Sequence, residues 1–132
     1  MRTTTNCTRR EAGFTLIELL IVVAILGTLA AMAIQQYALY RVKAFDGTAQ
    51  ADLRNAATAE EALYATTATY ITCADAATCE ATLQGYKRST GVNLSISATD
   101  GAFSGTSTHV NGSGKIWSYD TQGGRIVFAA GG

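Results

Sequence analysis

Proline is absent from these 132 residues, histidine occurs once, and charged side chains make up only 15%. The 10 basic and 10 acidic residues cancel. The basic excess with which nucleic-acid binders release phosphate counterions is missing, so no specific nucleic-acid partner is expected. His109 stands in a Ser/Thr-rich strand without a Cys nucleophile, and it completes neither a catalytic triad nor a metal ligand set. No enzyme, metal site or cofactor is expected on this reading. Asp100-Gly101 and Asp120 lack the run of oxygen ligands that a calcium loop needs and read as turn residues. Lys87-Arg88 reads as a solvated basic pair. What the chain has instead is 48% hydrophobic residues, too many for disorder, in a length that suits one domain.

Those hydrophobic residues are unevenly placed. From Phe14 to Ile34 the chain reads FTLIELLIVVAILGTLAAMAI, with Glu18 its sole charge. About 21 residues at 1.5 Å each cover roughly 31 Å, enough to cross a bilayer. Arg2, Arg9 and Arg10 precede it against a single acid, Glu11. The positive-inside bias therefore keeps the N-terminus in the cytoplasm and places everything after Ile34 outside. A secretory cut after Ala31-Met32-Ala33 fits the small-x-small pattern, but a signal-peptide apolar region runs only about 7 to 15 residues and carries no acid. A lipoprotein signal fails because Cys7 comes before the apolar run. A cut between Gly13 and Phe14 would instead discard the basic leader and retain the helix.

Beyond the span, Val42, Phe45, Ala49, Leu53, Ala56, Glu60 and Leu63 follow three-and-four spacing. An amphipathic stripe thus continues the helix to about Thr66, with Glu60 its one polar interruption. A helix of about 50 residues is roughly 80 Å long, too long for a small domain to bury. Its first half must find a membrane or other copies of itself. After Tyr70 the pattern changes to strands: Val92 to Ser97 alternates strictly, and Thr106 to Val110, Lys115 to Tyr119 and Arg125 to Ala129 are separated by Gly-rich turns. Alternation in the third segment allows either Ile116 or Trp117 with Tyr119 to face the core. The expected fold is α+β. It comprises a transmembrane or filament-core helix at 14–34, an amphipathic continuation at 35–69, and a C-terminal domain at 70–132 whose small antiparallel sheet packs on that continuation.

Gly13 followed by Phe14-Thr15-Leu16-Ile17-Glu18-Leu19-Leu20-Ile21-Val22-Val23-Ala24-Ile25-Leu26-Gly27 closely resembles the class III signal segment of type IV pilins and of the pseudopilins of type II secretion. Tyr37 to Phe45 and Asp52-Leu53-Arg54-Asn55 look more like pilins than like the major pseudopilin. The first half of the chain carries the resemblance. It implies that a prepilin peptidase removes residues 1–13 after Gly13 and that the new N-terminus at Phe14 is methylated. The precursor would wait in the bacterial inner membrane, in contact with lipid. An assembly platform and its motor would then build it into a homo-oligomeric helical filament at the cell surface, serving adhesion, twitching motility or DNA uptake. A periplasmic piston of pseudopilin type and a monomeric membrane-anchored binding domain are the alternatives. The family commonly has Pro where this chain has Gln35, so the kink that proline imposes is in question here. Gly27 remains as a point of helix flexibility.

The resemblance also gives Glu18 a role, in which its carboxylate meets the Phe14 amine of a neighbouring subunit. An acid within a membrane span needs such a partner, and the alternative is snorkelling to the headgroups. With Cys7 gone, Cys73 and Cys79 are an even pair outside the cytoplasm and are expected to form a disulfide, with free buried thiols as the alternative. Tyr37, Tyr40, Phe45, Tyr64 and Tyr70 resemble the aromatic spacing of short pilins proposed to carry electrons. Ordinary helix packing explains the same rings.

Overall fold

The computed structural model describes residues 13–129. Two helices, α1 (Leu16–Thr67) and α2 (Ala76–Thr82), precede four strands, β1 (Val92–Thr99), β2 (Ala102–His109), β3 (Ile116–Asp120) and β4 (Arg125–Ala129). The strands form one antiparallel meander in the order β1-β2-β3-β4. The α+β class read from the sequence is borne out. Two compact units divide the chain, one ending at Tyr37 and the other beginning at Ala38. α1 contributes to both, and it passes Gly27 and Gln35 without interruption.

α1 starts at a capping box. Thr15 Oγ1 accepts from the Glu18 N–H at 3.2 Å, and Glu18 Oε2 accepts from the Thr15 N–H at 2.9 Å, so two orphan donors of the first turn are satisfied reciprocally. The helix ends where Ala68 turns left-handed at φ 55 and donates its N–H to the Tyr64 carbonyl at 2.8 Å. Glycine is the usual residue at such a cap because it carries no Cβ penalty.

In the unit beginning at Ala38, helix and sheet approach closely because both present small residues. Ala49 and Ala56 are wholly buried, and a Cβ on Gly105 of β2 would lie 3.0 Å from Leu53 Cδ1. Ser107 Oγ donates to the Ala49 carbonyl at 2.8 Å, binding strand directly to helix backbone. Leu94 and Ile96 of β1 and Phe103 of β2 complete this core. Trp117, Tyr119 and Ile126 pack against it, while Ile116 lies on the opposite face. That settles the alternation in β3 in favour of the two aromatics.

Some elements differ from the sequence reading. β2 begins at Ala102, not Thr106, and extends over a Gly105 whose missing side chain makes room for Leu53. α2 lies inside the segment read as β domain; Asp75 caps it by accepting from the N–H groups of Ala77 and Thr78 at 2.9 and 2.8 Å. The buried stripe of α1 is also more polar than its spacing implied. Val42, Phe45 and Leu63 are only half-buried, whereas Asp46 and Asp52 are buried.

Replacing Ala68 by Gly should relieve the left-handed cap and raise unfolding stability by about 0.5–1 kcal/mol. An unchanged or lower urea midpoint would contradict that account of the helix end.

Candidate functional site

In the unit ending at Tyr37 every described residue is exposed. Its large apolar side chains from Leu16 to Ile34 lie open, Val22 being the least exposed at 49%. This part of α1 is long and apolar enough to cross a membrane, and none of its most apolar stretch is buried within the chain. Phe14 is 90% exposed at its start. A Cβ on Gly27 would meet nothing within 4 Å, so the glycine is not needed for packing inside one chain. Glu18 Oε2 also accepts from Thr15 Oγ1 at 2.7 Å, which holds the carboxylate at the helix start, one turn from Phe14. Sequence reasoning missed Thr15, although the signal was present as Thr15-x-x-Glu18 ahead of an apolar run.

In the other unit, two buried aspartates of α1 each clamp one loop serine. Asp46 accepts from the Ser113 N–H at 2.9 Å and the Ser113 hydroxyl at 2.6 Å. Asp52 accepts from the Ser89 N–H and hydroxyl, both at 2.7 Å. Such charge-assisted pairs are stronger than neutral hydrogen bonds. They pin the β2–β3 turn and the loop before β1 to the helix. Burial raises the Tyr86 phenol well above its ordinary value, and the Asp52 charge adds to the effect.

His109 belongs to the same framework. Its ring stacks on Phe45 at 4.5 Å, its Nδ1 accepts from the Asn111 N–H at 3.0 Å, and its Nε2 lies 3.2 Å from the Thr90 carbonyl. With Nδ1 accepting, Nε2 must donate, which is the pattern of a neutral imidazole used as a structural link. Among the described residues no group of three or more His, Cys, Asp or Glu is placed to hold a metal.

The Cys73 and Cys79 sulfurs are bonded, with Cα atoms 5.2 Å apart. Cys73 also pairs with Ile96 of β1 through both of its backbone groups, at 3.0 and 2.9 Å, so the disulfide loop is stitched to the sheet edge. The aromatics separate. Tyr64 stacks on Tyr70 at 4.3 Å, and the run continues to Phe103 at 4.9 Å and Tyr119 at 5.4 Å. Phe45 faces His109, and Tyr40 lies under the Lys43 ammonium at 5.5 Å. Tyr37, in its own unit, is 71% exposed.

Residues 8–34 match the prokaryotic N-terminal methylation motif. The chain therefore carries the class III signal of type IV pilin and pseudopilin precursors. The motif implies processing by a prepilin peptidase and assembly into a pilus-like filament. Among curated proteins none matches the chain. Apart from Gly13, the leader read at residues 1–13 lies outside the described residues, as does Cys7. The motif and the open helix together fit a membrane-anchored precursor.

Glu60, the polar interruption in the stripe, is wholly buried. Oε2 accepts from the Ile71 N–H at 3.2 Å, and Oε1 is buried without a hydrogen-bond partner. Burial raises its carboxyl above the ordinary value of 4.5, against the lowering effect of the Ile71 bond. The folded state therefore holds a proton that the unfolded chain has already lost as pH rises past 4.5. Its stabilising contribution is full below 4.5 and is lost as pH climbs through the raised folded value. Glu60→Gln should remove this part of the pH dependence, with urea midpoints of mutant and wild type diverging toward neutral pH. Parallel curves from acid to neutral would show that Glu60 carries no such linkage.

Proposed function

We propose that this chain is a structural subunit of a type IV pilus. The prepilin peptidase cuts after Gly13, Phe14 becomes the methylated N-terminus, and the segment Phe14–Ile34 holds the processed chain in the inner membrane. The assembly platform and motor then transfer it into a homopolymeric surface filament, where the apolar helices of neighbouring copies cover one another. The role is structural, not catalytic. The reading is carried by one combination, a methylation motif lying over an apolar helix segment that its own chain leaves uncovered. Adhesion, twitching or DNA uptake would then belong to the filament and its motor. A pseudopilin piston is the second reading, since the same motif serves both kinds of precursor.

Glu18 supports the filament reading through its position. The Phe14 amine released by cleavage sits at the positive end of a helix dipole, which disfavours its charge, and the Glu18 carboxylate held by Thr15 is one turn away. In the filament that carboxylate takes the amine of a neighbouring copy, and a buried pair of this kind costs about 3–5 kcal/mol when one member is removed. Mass spectrometry of protein sheared from cells should find a methylated chain starting at Phe14. A chain starting at Met1, or a soluble one starting at Ile34, would refute the reading. Glu18→Ala should be processed at Gly13 as usual yet yield far fewer filaments, and normal yield would remove the pairing role.

A further inference from the structure

The sheet has a second face, turned away from the core, whose side chains the assembly argument does not use. Leu94 and Ile96 of β1, and Phe103 and Ser107 of β2, are buried. Alternation therefore turns Asn93, Ser95, Thr106 and Thr108 outward. The register sets Asn93 opposite Thr108 and Ser95 opposite Thr106. Ser107 pairs with Trp117, so Ile116 of β3 shares the outward face and is 37% exposed. These five residues border one cavity of about 330 Å³, walled along β1 by the segment from Ala74 to Ala76. The Cys73–Ile96 bridge fixes that segment beside the strand. The volume falls at the lower end of the range of small-molecule sites, about 300–1,000 Å³.

The polar groups of this cavity have bonding capacity to spare. The Ser95 and Thr106 hydroxyls share one hydrogen bond at 3.0 Å, which leaves the pair one donor and several lone pairs. Among the described residues neither the Asn93 amide group nor the Thr108 hydroxyl has a partner within the chain. Asp75 accepts from two N–H groups and from the Thr78 hydroxyl, so one of a carboxylate's roughly four lone-pair sites is left. No Lys, Arg or His borders the cavity among the described residues, and an anion would find no counter-charge. A cation would find only Asp75, already held three times. An apolar ligand would strip water from Asn93 and Thr108 and leave them unpaired, which is penalised. A polyhydroxyl ring meets every condition, because each hydroxyl both donates and accepts and its C–H face suits Ile116 and the Ala74 methyl.

We propose that this cavity on the outward face of β1, β2 and β3 binds one neutral sugar ring. Asn93 and Thr108 bond its hydroxyls, the Ser95–Thr106 pair holds a further one, and Ile116 supports the C–H face. Asp75 accepts at the rim with its remaining lone pair. The site lies wholly within the unit beginning at Ala38. It adds a binding activity to the structural role and does not require that the chain assemble.

The test titrates the full chain, in phosphatidylcholine nanodiscs, with the methyl glycosides of glucose, galactose and mannose. Backbone amide NMR shifts are followed at residues 93–95, 106–108 and 116. At least one glycoside should give saturable shifts in the millimolar range, confined to these residues. Asn93→Ala and Thr108→Val should each weaken that binding about tenfold or more. An unchanged circular dichroism spectrum and thermal midpoint would show that these outward substitutions leave the fold intact. Saturable shifts with none of the three glycosides would overturn the proposal, as would binding that both variants retain. Cyclohexanol binding as tightly as the best glycoside would reduce the cavity to an apolar patch and overturn it. Tighter binding of methyl glucuronide than of methyl glucoside would show a counter-charge and do the same. Shifts that follow protein concentration without sugar would assign the face to a second copy and overturn it too. A pilus reading refuted by the sheared-protein N-terminus would leave the sugar result standing.

Discussion

Water cannot be the resting environment of the segment from Phe14 to Ile34. Thirteen large apolar side chains there lie roughly half or more exposed. At about 1.5–3 kcal/mol for each complete burial, leaving them in water forfeits on the order of 10–20 kcal/mol. A whole domain is stable by only about 5–15 kcal/mol. The segment therefore has two admissible environments, a bilayer or the apolar surface of other helices, and a subunit that moves between them spends no stage with this surface bare. The same restriction bears on the chain beginning at Ala38, which has to hold its own fold without help from the apolar segment.

It does so with little bulk. The helix face in that unit is built largely from alanines, so the transfer energy per residue is small. Directional bonds compensate. Asp46 and Asp52 hold two loops, Ser107 ties β2 to the helix backbone, and the Cys73–Cys79 loop is joined to β1 through Ile96. Each carboxylate is buried but accepts two hydrogen bonds, which offsets the cost of withdrawing charge from water. Glu60 is the exception, with one oxygen unmatched, and burial accordingly favours its protonated form in the fold.

How much of this could be read in advance depended on whether a residue's role was local. The apolar span, the helix continuing past it, and the alternation of β1 are periodic signals, and they were legible. The capping box was equally local, since Thr15 and Glu18 state it within four residues. The opening of β2 was hidden because Gly105 is chosen for Leu53, 52 positions earlier in the chain. Asp46 and Asp52 look like solvent-facing interruptions of a helical stripe until Ser113 and Ser89 are brought to them. The choice between Ile116 and Trp117 required the register with β4. α2 follows from one cap, Asp75, in a stretch whose composition had suggested only a disulfide loop.

If lipid and bundled helices are both apolar surroundings for Phe14–Ile34, the apolar side chains themselves distinguish poorly between membrane and filament, because lipid tails and leucines are nearly equivalent solvents. The balance then falls to the few polar groups at the ends of the segment. On the proposed reading Glu18 gains a cationic partner only in the filament, which favours assembly. This pairing appears when cleavage creates the Phe14 amine, and the same cut removes the three leader arginines that would resist withdrawal from the cytoplasmic face. One hydrolysis thus strengthens the pull toward the filament and weakens the hold of the membrane.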